Sequence, residues 1–136
     1  MAHSKFRAEV LTPEGEVFND EVEMVSTKTA VGSIGILANH EPVLAMLDPT
    51  ELRLYKTESE VVRFAQAEGY LQVADNHALI LVEEATAPGD LDTGSLRERL
   101  QQTERELDSA GGDTEKRRVA ERDKTRLEQF LKIAEG

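Results

Sequence analysis

Three histidines are the side chains best suited to proton transfer near neutral pH. An enzyme needs such a base to converge with a nucleophile, a metal or a second titratable group. The sequence has no cysteine, no HExxH or GxSxG motif, and no phosphate-binding loop with its lysine. Glu83 and Glu84 are adjacent, so in a strand they point to opposite faces and do not pair. A hydrolase or isomerase using His40 with Glu41 or Asp48 is therefore the least supported function.

The stretch Gly32–Leu44, which reads GSIGILANHEPVL, is the most unusual part of the sequence. Its two glycines permit backbone conformations that other residues resist. It lacks the third glycine and the lysine of a phosphate loop, so we do not interpret it as one. His40 either stabilises this loop by a hydrogen bond or belongs to a contact surface, and the residues alone favour the first interpretation.

Arg118, Arg122 and Arg126 recur every four residues in a segment with helical periodicity. Residues at this spacing form one stripe along a helix, which we expect opposite Leu127 and Leu131. Like charges at this spacing repel, so the stripe favours an acidic surface as its partner. Because acidic residues stand nearby in the sequence, ordinary surface ion pairs are the alternative interpretation.

The residues up to position 87 follow a period of two. Phe6, Ala8 and Val10 alternate with charged residues, and Thr12–Gly15 forms a turn sequence. Further alternating segments follow at intervals of about 8–12 residues, separated by turn residues. This pattern predicts a β-sandwich or barrel over residues 1–87, with a mixed α+β domain as the alternative.

At Pro88 the period becomes helical. Apolar residues every three or four positions predict two amphipathic helices, broken at 110–113 and packed as an antiparallel hairpin over residues 88–136. Ser95 and Glu98 match a capping box for the first helix, and Asp113 suits the cap of the second. Each apolar stripe is narrow, so we expect the hairpin to depend on packing against the β domain or a partner.

The chain has 136 residues, a formal charge of −11 and only 4% aromatic residues. An acidic chain is repelled by phosphate backbones and by anionic lipid, so nucleic acid and bare membrane are unfavourable partners. The sequence contains no apolar run of the roughly 18 residues that a membrane span needs. We therefore expect neither nucleic-acid binding nor direct membrane insertion.

The Gly32–Leu44 stretch, with the pattern G-x-I-G-I-x-x-x-H-x-P-V-L, resembles the epsilon subunit of bacterial rotary ATP synthases. The segment Phe6–Phe18 is similar to the first hairpin of that family, and the order of a β domain followed by a helical hairpin is the same. The resemblance implies a β-sandwich of about ten strands and a regulatory C-terminal hairpin. It also implies a non-catalytic subunit of a proton-translocating synthase, peripheral at the cytoplasmic face of the bacterial inner membrane.

For the sandwich, the resemblance implies binding to the gamma subunit and the c-ring through a loop that carries Ser33, His40 and Pro42. The subunit would turn with the rotor and couple its rotation to ATP synthesis. Many relatives have an acidic residue at the position of Ser33. Its absence here puts a charge-pair contact with the ring in question.

For the hairpin, the resemblance implies that Arg118, Arg122 and Arg126 contact an acidic loop of the beta subunit and restrain ATP hydrolysis. Some relatives bind ATP through an aspartate followed three residues later by arginine and alanine. Only Asp92 of that motif is kept here, because Ser95 and Leu96 occupy the other positions. We expect no cofactor and no metal, with Asp92 as the candidate if ATP is bound.

The alternative function is a stand-alone adaptor or chaperone-like module that grips other proteins with its helical hairpin. It explains the hairpin and the acidity, but it leaves the Gly32–Leu44 stretch without a role.

Overall fold

A computed structural model describes residues 3–136, which divide into two compact units with the boundary in the chain between Ala87 and Pro88. The first unit contains ten strands and the second contains two helices. The predicted fold class, a β-sandwich followed by an antiparallel helical hairpin, is confirmed. The strands are β1 (Phe6–Thr12), β2 (Gly15–Val22), β3 (Met24–Thr29), β4 (Gly32–Leu37), β5 (Val43–Leu47), β6 (Thr50–Tyr55), β7 (Val61–Gln66), β8 (Gly69–Ala74), β9 (His77–Val82) and β10 (Ala85–Thr86).

The strands are hydrogen-bonded in the order β10-β7-β6-β3-β5-β8-β9-β1-β2, and β4 pairs with β3 beside this path. All the pairings are antiparallel except that of β1 with β9, in which Arg7 stands opposite His77. The turn Thr12–Gly15 joins β1 to β2 as predicted, with Gly15 at a φ of 128° that favours glycine. The N-terminal strand thus lies inside the sheet order rather than at its edge.

One continuous core fills the first unit, because every second side chain of most strands faces inward. Ala8 and Val10 of β1, for example, have no exposed surface. The fully or almost fully buried members of this core are Phe6, Ala8, Val10, Val22, Val25, Ile36, Leu47, Leu52, Leu54, Leu71, Val73, Ala78, Ile80 and Val82.

A buried polar clasp adds to this core. The side chain of Gln66 is fully buried; its Oε1 accepts a hydrogen bond from Thr27 Oγ1 at 2.5 Å. Its Nε2 donates to the carbonyl oxygens of Asp48 and Ala67 at 2.9 and 3.0 Å. Gln66 therefore links β7, β3 and the turn between β5 and β6. The bonds to Thr27 and Ala67 are buried, and the bond to Asp48 is partly buried.

The second unit begins with a 3₁₀ turn at Pro88–Asp90, followed by α1 (Thr93–Ser109) and α2 (Thr114–Glu135). Asp113 caps α2 as predicted, because its carboxylate accepts from Lys116 N at 3.0 Å. The predicted capping box at Ser95 is wrong. Asp92 is the cap of α1, and its Oδ1 accepts from the backbone N–H of Ser95 at 3.1 Å. The helix therefore begins two residues before Ser95, at the first residue after an aspartate that satisfies its free N–H groups.

The two helices pack along a narrow seam. Leu96 and Thr103 of α1 are buried, as are Ala120, Leu127 and Phe130 of α2. The other apolar side chains of the predicted stripes, such as Leu100 and Leu107, are only half-buried. Neither helix in residues 3–136 has a stretch long and apolar enough to cross a bilayer.

Candidate functional site

The loop that carries His40 joins β4 to β5 and is held by three hydrogen bonds. The His40 N–H donates to the Leu37 carbonyl at 3.2 Å, and His40 Nδ1 lies 2.7 Å from the Glu41 carbonyl oxygen. The Asn39 N–H donates to Asn76 Oδ1 at 2.7 Å. His40 thus has the local hydrogen bond that the sequence favoured, yet its ring is only half-buried and Glu41 beside it is exposed. The loop is both fixed and accessible.

Ser33 does not share this loop with His40, contrary to the expectation from the resemblance. Ser33 is exposed near the start of β4, opposite Lys28 of β3, whereas His40 follows the end of β4. The strand extends to Leu37 at a rise of roughly 3.3 Å per residue, so about 13 Å of extended chain lies between Ser33 and the start of the His40 loop. Pro42 is exposed and lies in the same loop as His40. A partner that touches all three residues must therefore run along the edge strand β4.

The outer surface of the neighbouring strands is apolar. Leu44 and Met46 of β5 are 74% and 62% exposed, Tyr70 of β8 is 52% exposed, and Leu81 of β9 is 40% exposed. Met46 stands opposite Tyr70, and Tyr70 stands opposite Leu81. These four residues, the apolar face, form a continuous surface that begins just after the His40 loop.

The sequence analysis missed this surface, although a signal for it is present. The segments Val43–Leu47 and Ala78–Val82 are apolar at every position rather than alternating. A strand that is apolar on both sides is typically buried by other protein surfaces on both sides. One side of each segment faces the core, and the other is the apolar face.

Among residues 3–136, no set of groups suited to acid–base catalysis surrounds His40. Asp48 lies in the turn beyond β5, so the whole of that strand separates it from the His40 loop. His77 Nε2 lies 2.9 Å from Glu9 Oε1, a single surface pair without a nucleophile. Within residues 3–136, no three histidine, aspartate or glutamate side chains are placed to hold a metal ion.

The three arginines of α2 do not form one stripe opposite the buried seam. Each step of four residues turns about 40° past a full circle, so the stripe drifts around the helix. Arg118 is exposed opposite Leu127, but Arg126 is half-buried and lines the same cavity as Leu127. Arg118 Nη2 donates to Glu115 Oε1 at 2.6 Å, and this bond holds the pKa of Glu115 below its ordinary value. Arg122 Nη2 lies 3.4 Å from Asp123 Oδ1.

Asp92, the remaining residue of the ATP motif, has a structural task. Its carboxylate caps α1, and nearby Arg97 donates to Glu135 Oε1 at 2.8 Å. The side chains of Asp92 and Arg97 therefore both make hydrogen bonds within the hairpin.

Comparison with known proteins gives a family for this arrangement. Residues 5–88 match the family model of the ATP synthase delta/epsilon chain β-sandwich domain, which spans the whole strand region. The chain belongs to the ATP synthase epsilon-chain family. An epsilon chain from Sulfurihydrogenibium is 31% identical to it over 95% of this chain and 96% of that protein. One from Rubrobacter xylanophilus is 37% identical over 72% of this chain and 66% of that protein.

The fold also matches a solved structure. A chain in the cryo-EM structure of the Euglena gracilis mitochondrial ATP synthase, described as OSCP/F1/c-ring, superimposes with a TM-score of 0.81. The match covers 97% of this chain and 82% of that chain at 20% identity. Membership of the epsilon family makes this chain a subunit of ATP synthase, a membrane-associated complex.

Proposed function

We propose that this epsilon-family chain is a non-catalytic coupling subunit of the central stalk, bound to the gamma subunit and the c-ring. It turns with them at the cytoplasmic face of a bacterial inner membrane and transmits rotation, driven by protons, to ATP synthesis. The apolar face carries this proposal. Four large apolar side chains, 40–74% exposed on adjacent strands, form the kind of surface that a protein covers with a partner.

The position of the apolar face favours a rotor partner in particular. It continues into the loop of His40 and Pro42, because Leu44 is the second residue of β5. A partner on the apolar face therefore meets this loop, while the edge strand β4 offers Ser33 to a second contact further along. We assign the apolar face to gamma and the loop with β4 to the c-ring. The Euglena structure, in which the same fold occurs in an F1/c-ring assembly, supports a partner within such an assembly.

The helical hairpin is the proposed regulatory part, which restrains ATP hydrolysis. Arg118 is exposed and bound to Glu115, and a solvent-exposed ion pair of this kind contributes little to stability. If Arg118 leaves Glu115 and pairs with an acidic loop of the beta subunit instead, the free-energy cost of breaking the original pair is therefore small. Arg122 and Arg126 would join this contact, although Arg126 must leave the cavity that it lines beside Leu127.

We propose further that the subunit works without a cofactor. ATP binding at Asp92 would require its carboxylate to leave the N-terminus of α1, where it satisfies a helix N–H. Equilibrium dialysis with ATP tests this directly. Binding tighter than millimolar would contradict it.

The hairpin is tested by ATP hydrolysis in an alpha–beta–gamma catalytic head. The intact chain is compared with a triple Arg→Gln variant at 118, 122 and 126, and with a chain ending at Ala87, whose core lies entirely within the strand region. All three are expected to bind, and only the intact chain is expected to suppress hydrolysis. If none suppresses it, the regulatory role is wrong and the coupling role remains.

The apolar face is tested by binding to a purified gamma–c-ring complex. Met46→Lys places a charge at its centre and is expected to weaken binding at least tenfold, because a charged group is desolvated in the interface. Gln101→Lys is the matched control, since Gln101 is exposed on α1, outside both the apolar face and the surface assigned to the c-ring. Equal binding of both variants would refute this surface. Failure of the unaltered chain to bind would favour the stand-alone adaptor.

A further inference from the structure

The turn between β8 and β9 consists of Asp75 and Asn76, with φ values of 50° and 61°. A two-residue hairpin with both central residues at positive φ is a type I′ turn, in which asparagine, aspartate and glycine are favoured. This requirement explains why a small polar residue stands at position 76. It does not explain what the Asn76 side chain does.

The Asn76 side chain reaches a different loop. Its Oδ1 accepts the backbone N–H of Asn39 at 2.7 Å, 37 residues earlier in the chain. Sheet register brings the two together. Because β5 pairs with β8 and Val43 stands opposite Val73, the loop that enters β5 runs beside the turn that leaves β8.

Of the three hydrogen bonds that hold the His40 loop, only this one comes from outside it. The other two, from His40 to Leu37 and Glu41, link residues at most three positions apart. Asn39 has a positive φ of 64°, a conformation that asparagine adopts more readily than most non-glycine residues but that remains less populated than negative φ. The bond from Asn76 stabilises that conformation at the residue directly before His40.

We propose that Asn76 is the positioning residue of the His40 loop. Its amide oxygen fixes the backbone at Asn39 and thereby presents His40 to the rotor in a single conformation, without itself needing to touch the partner. Fixing a contact loop before binding raises affinity, because less conformational freedom is lost on association. The inference rests on the proposed contact between this loop and the c-ring.

The test separates the hydrogen bond from the turn geometry with three variants of the full chain. Asn76→Gly keeps the positive φ but removes the acceptor, whereas Asn76→Asp keeps both the acceptor and a residue that tolerates positive φ. Asp75→Gly is the matched control, because it alters the same turn at a position with no hydrogen bond to the loop. An unchanged midpoint of thermal unfolding in all three would establish that any effect is local.

The first measurement is amide hydrogen exchange of Asn39 by NMR in the free chain. Asn76→Gly is expected to raise the exchange rate about fivefold, the equivalent of losing one typical hydrogen bond, whereas Asn76→Asp and Asp75→Gly leave it near the original value. Unchanged exchange in Asn76→Gly would overturn the proposal, whatever the chain binds.

The second measurement is the Kd for the purified gamma–c-ring complex. Asn76→Gly is expected to weaken binding about fivefold and Asn76→Asp to restore it, while Asp75→Gly has no effect. Faster exchange with unchanged binding would overturn the positioning role and leave the proposed function intact. If the unaltered chain does not bind at all, the proposed function fails and the positioning role fails with it.

Discussion

Replacing Gln66 by leucine should destabilise the sandwich strongly. The substitution keeps the approximate size of a side chain with no exposed surface, but removes one acceptor and two donor contacts. The carbonyl oxygens of Asp48 and Ala67 then lose their side-chain donor, and the Thr27 hydroxyl loses its acceptor.

The magnitude follows from these three bonds. A typical hydrogen bond contributes about 1 kcal/mol net, and a buried group left without a partner costs roughly 1–3 kcal/mol. The leucine side chain is apolar and fits the space that Gln66 occupies, so its burial is favourable. This burial offsets part of the free energy lost with the three hydrogen bonds. We expect a loss of about 3 kcal/mol in the free energy of unfolding, which for a domain of this size lowers Tm by roughly 12–24 °C.

Urea unfolding followed by circular dichroism measures this loss, with Gln72→Leu as the matched control. Gln72 is exposed on β8, and its change to leucine leaves no buried group without a partner. We expect that control to lie within about 0.5 kcal/mol of the original chain. If Gln66→Leu were as stable as Gln72→Leu, the clasp would contribute nothing and the reasoning from buried hydrogen bonds would be refuted.

Three further perturbations address other parts of the molecule. Gly69→Ala should disrupt the pairing of β8 with β9, because the added Cβ would lie 2.0 Å from the backbone oxygen of Leu81. Soluble yield and Tm should both fall. An unchanged Tm would contradict the close packing of Gly69 against the Leu81 backbone. Phe130→Ala should cost about 3–5 kcal/mol and unfold the hairpin, seen as lost helical circular dichroism, whereas Lys132→Ala on the exposed side should not. Glu115 should titrate below its ordinary pKa of 4.5 in an NMR experiment, because Arg118 donates a hydrogen bond to the ionised carboxylate. The small stabilising effect of this bond is present above pH 4.5 and is lost as the pH falls through the lowered pKa. Arg118→Ala should raise the pKa of Glu115 again, and an unchanged pKa would contradict this cause.

The sequence predicts most of the sandwich because alternation is a local property. β1, β6 and β8 each place every second side chain in the core, and their periods are plain in the sequence. β4 also alternates, with Ile34 and Ile36 turned toward the core, but two of its six residues are glycines, which are uncommon in strands and obscure the pattern in the sequence. β10 is only two residues long and is too short to show any pattern.

The site is less predictable because it depends on pairing between distant segments. The resemblance to the epsilon family predicts contact roles for Ser33, His40 and Pro42, and these roles stay predictions. That Ser33 lies outside the His40 loop follows from the extended β4. The apolar face exists only because Met46 and Tyr70 stand in register across β5 and β8.

The prediction of the α1 cap was wrong for a different reason. Ser95 with Glu98 and Asp92 with Ser95 are both plausible caps by residue type. Aspartate and serine cap helices almost equally well, so residue type alone does not choose between them.

The parallel pairing of β1 with β9 has a consequence for how the protein is made. β1 can pair with β9, where Arg7 stands opposite His77, only after most of the first unit has been synthesised. The first strand therefore leaves the ribosome with one edge unpaired. The helical hairpin, by contrast, is built from contacts between neighbouring segments and can form as soon as its chain emerges. The strand unit is therefore the slower of the two to fold, and its first strand, unpaired along one edge, is where a chaperone or a wrong partner would first bind this chain.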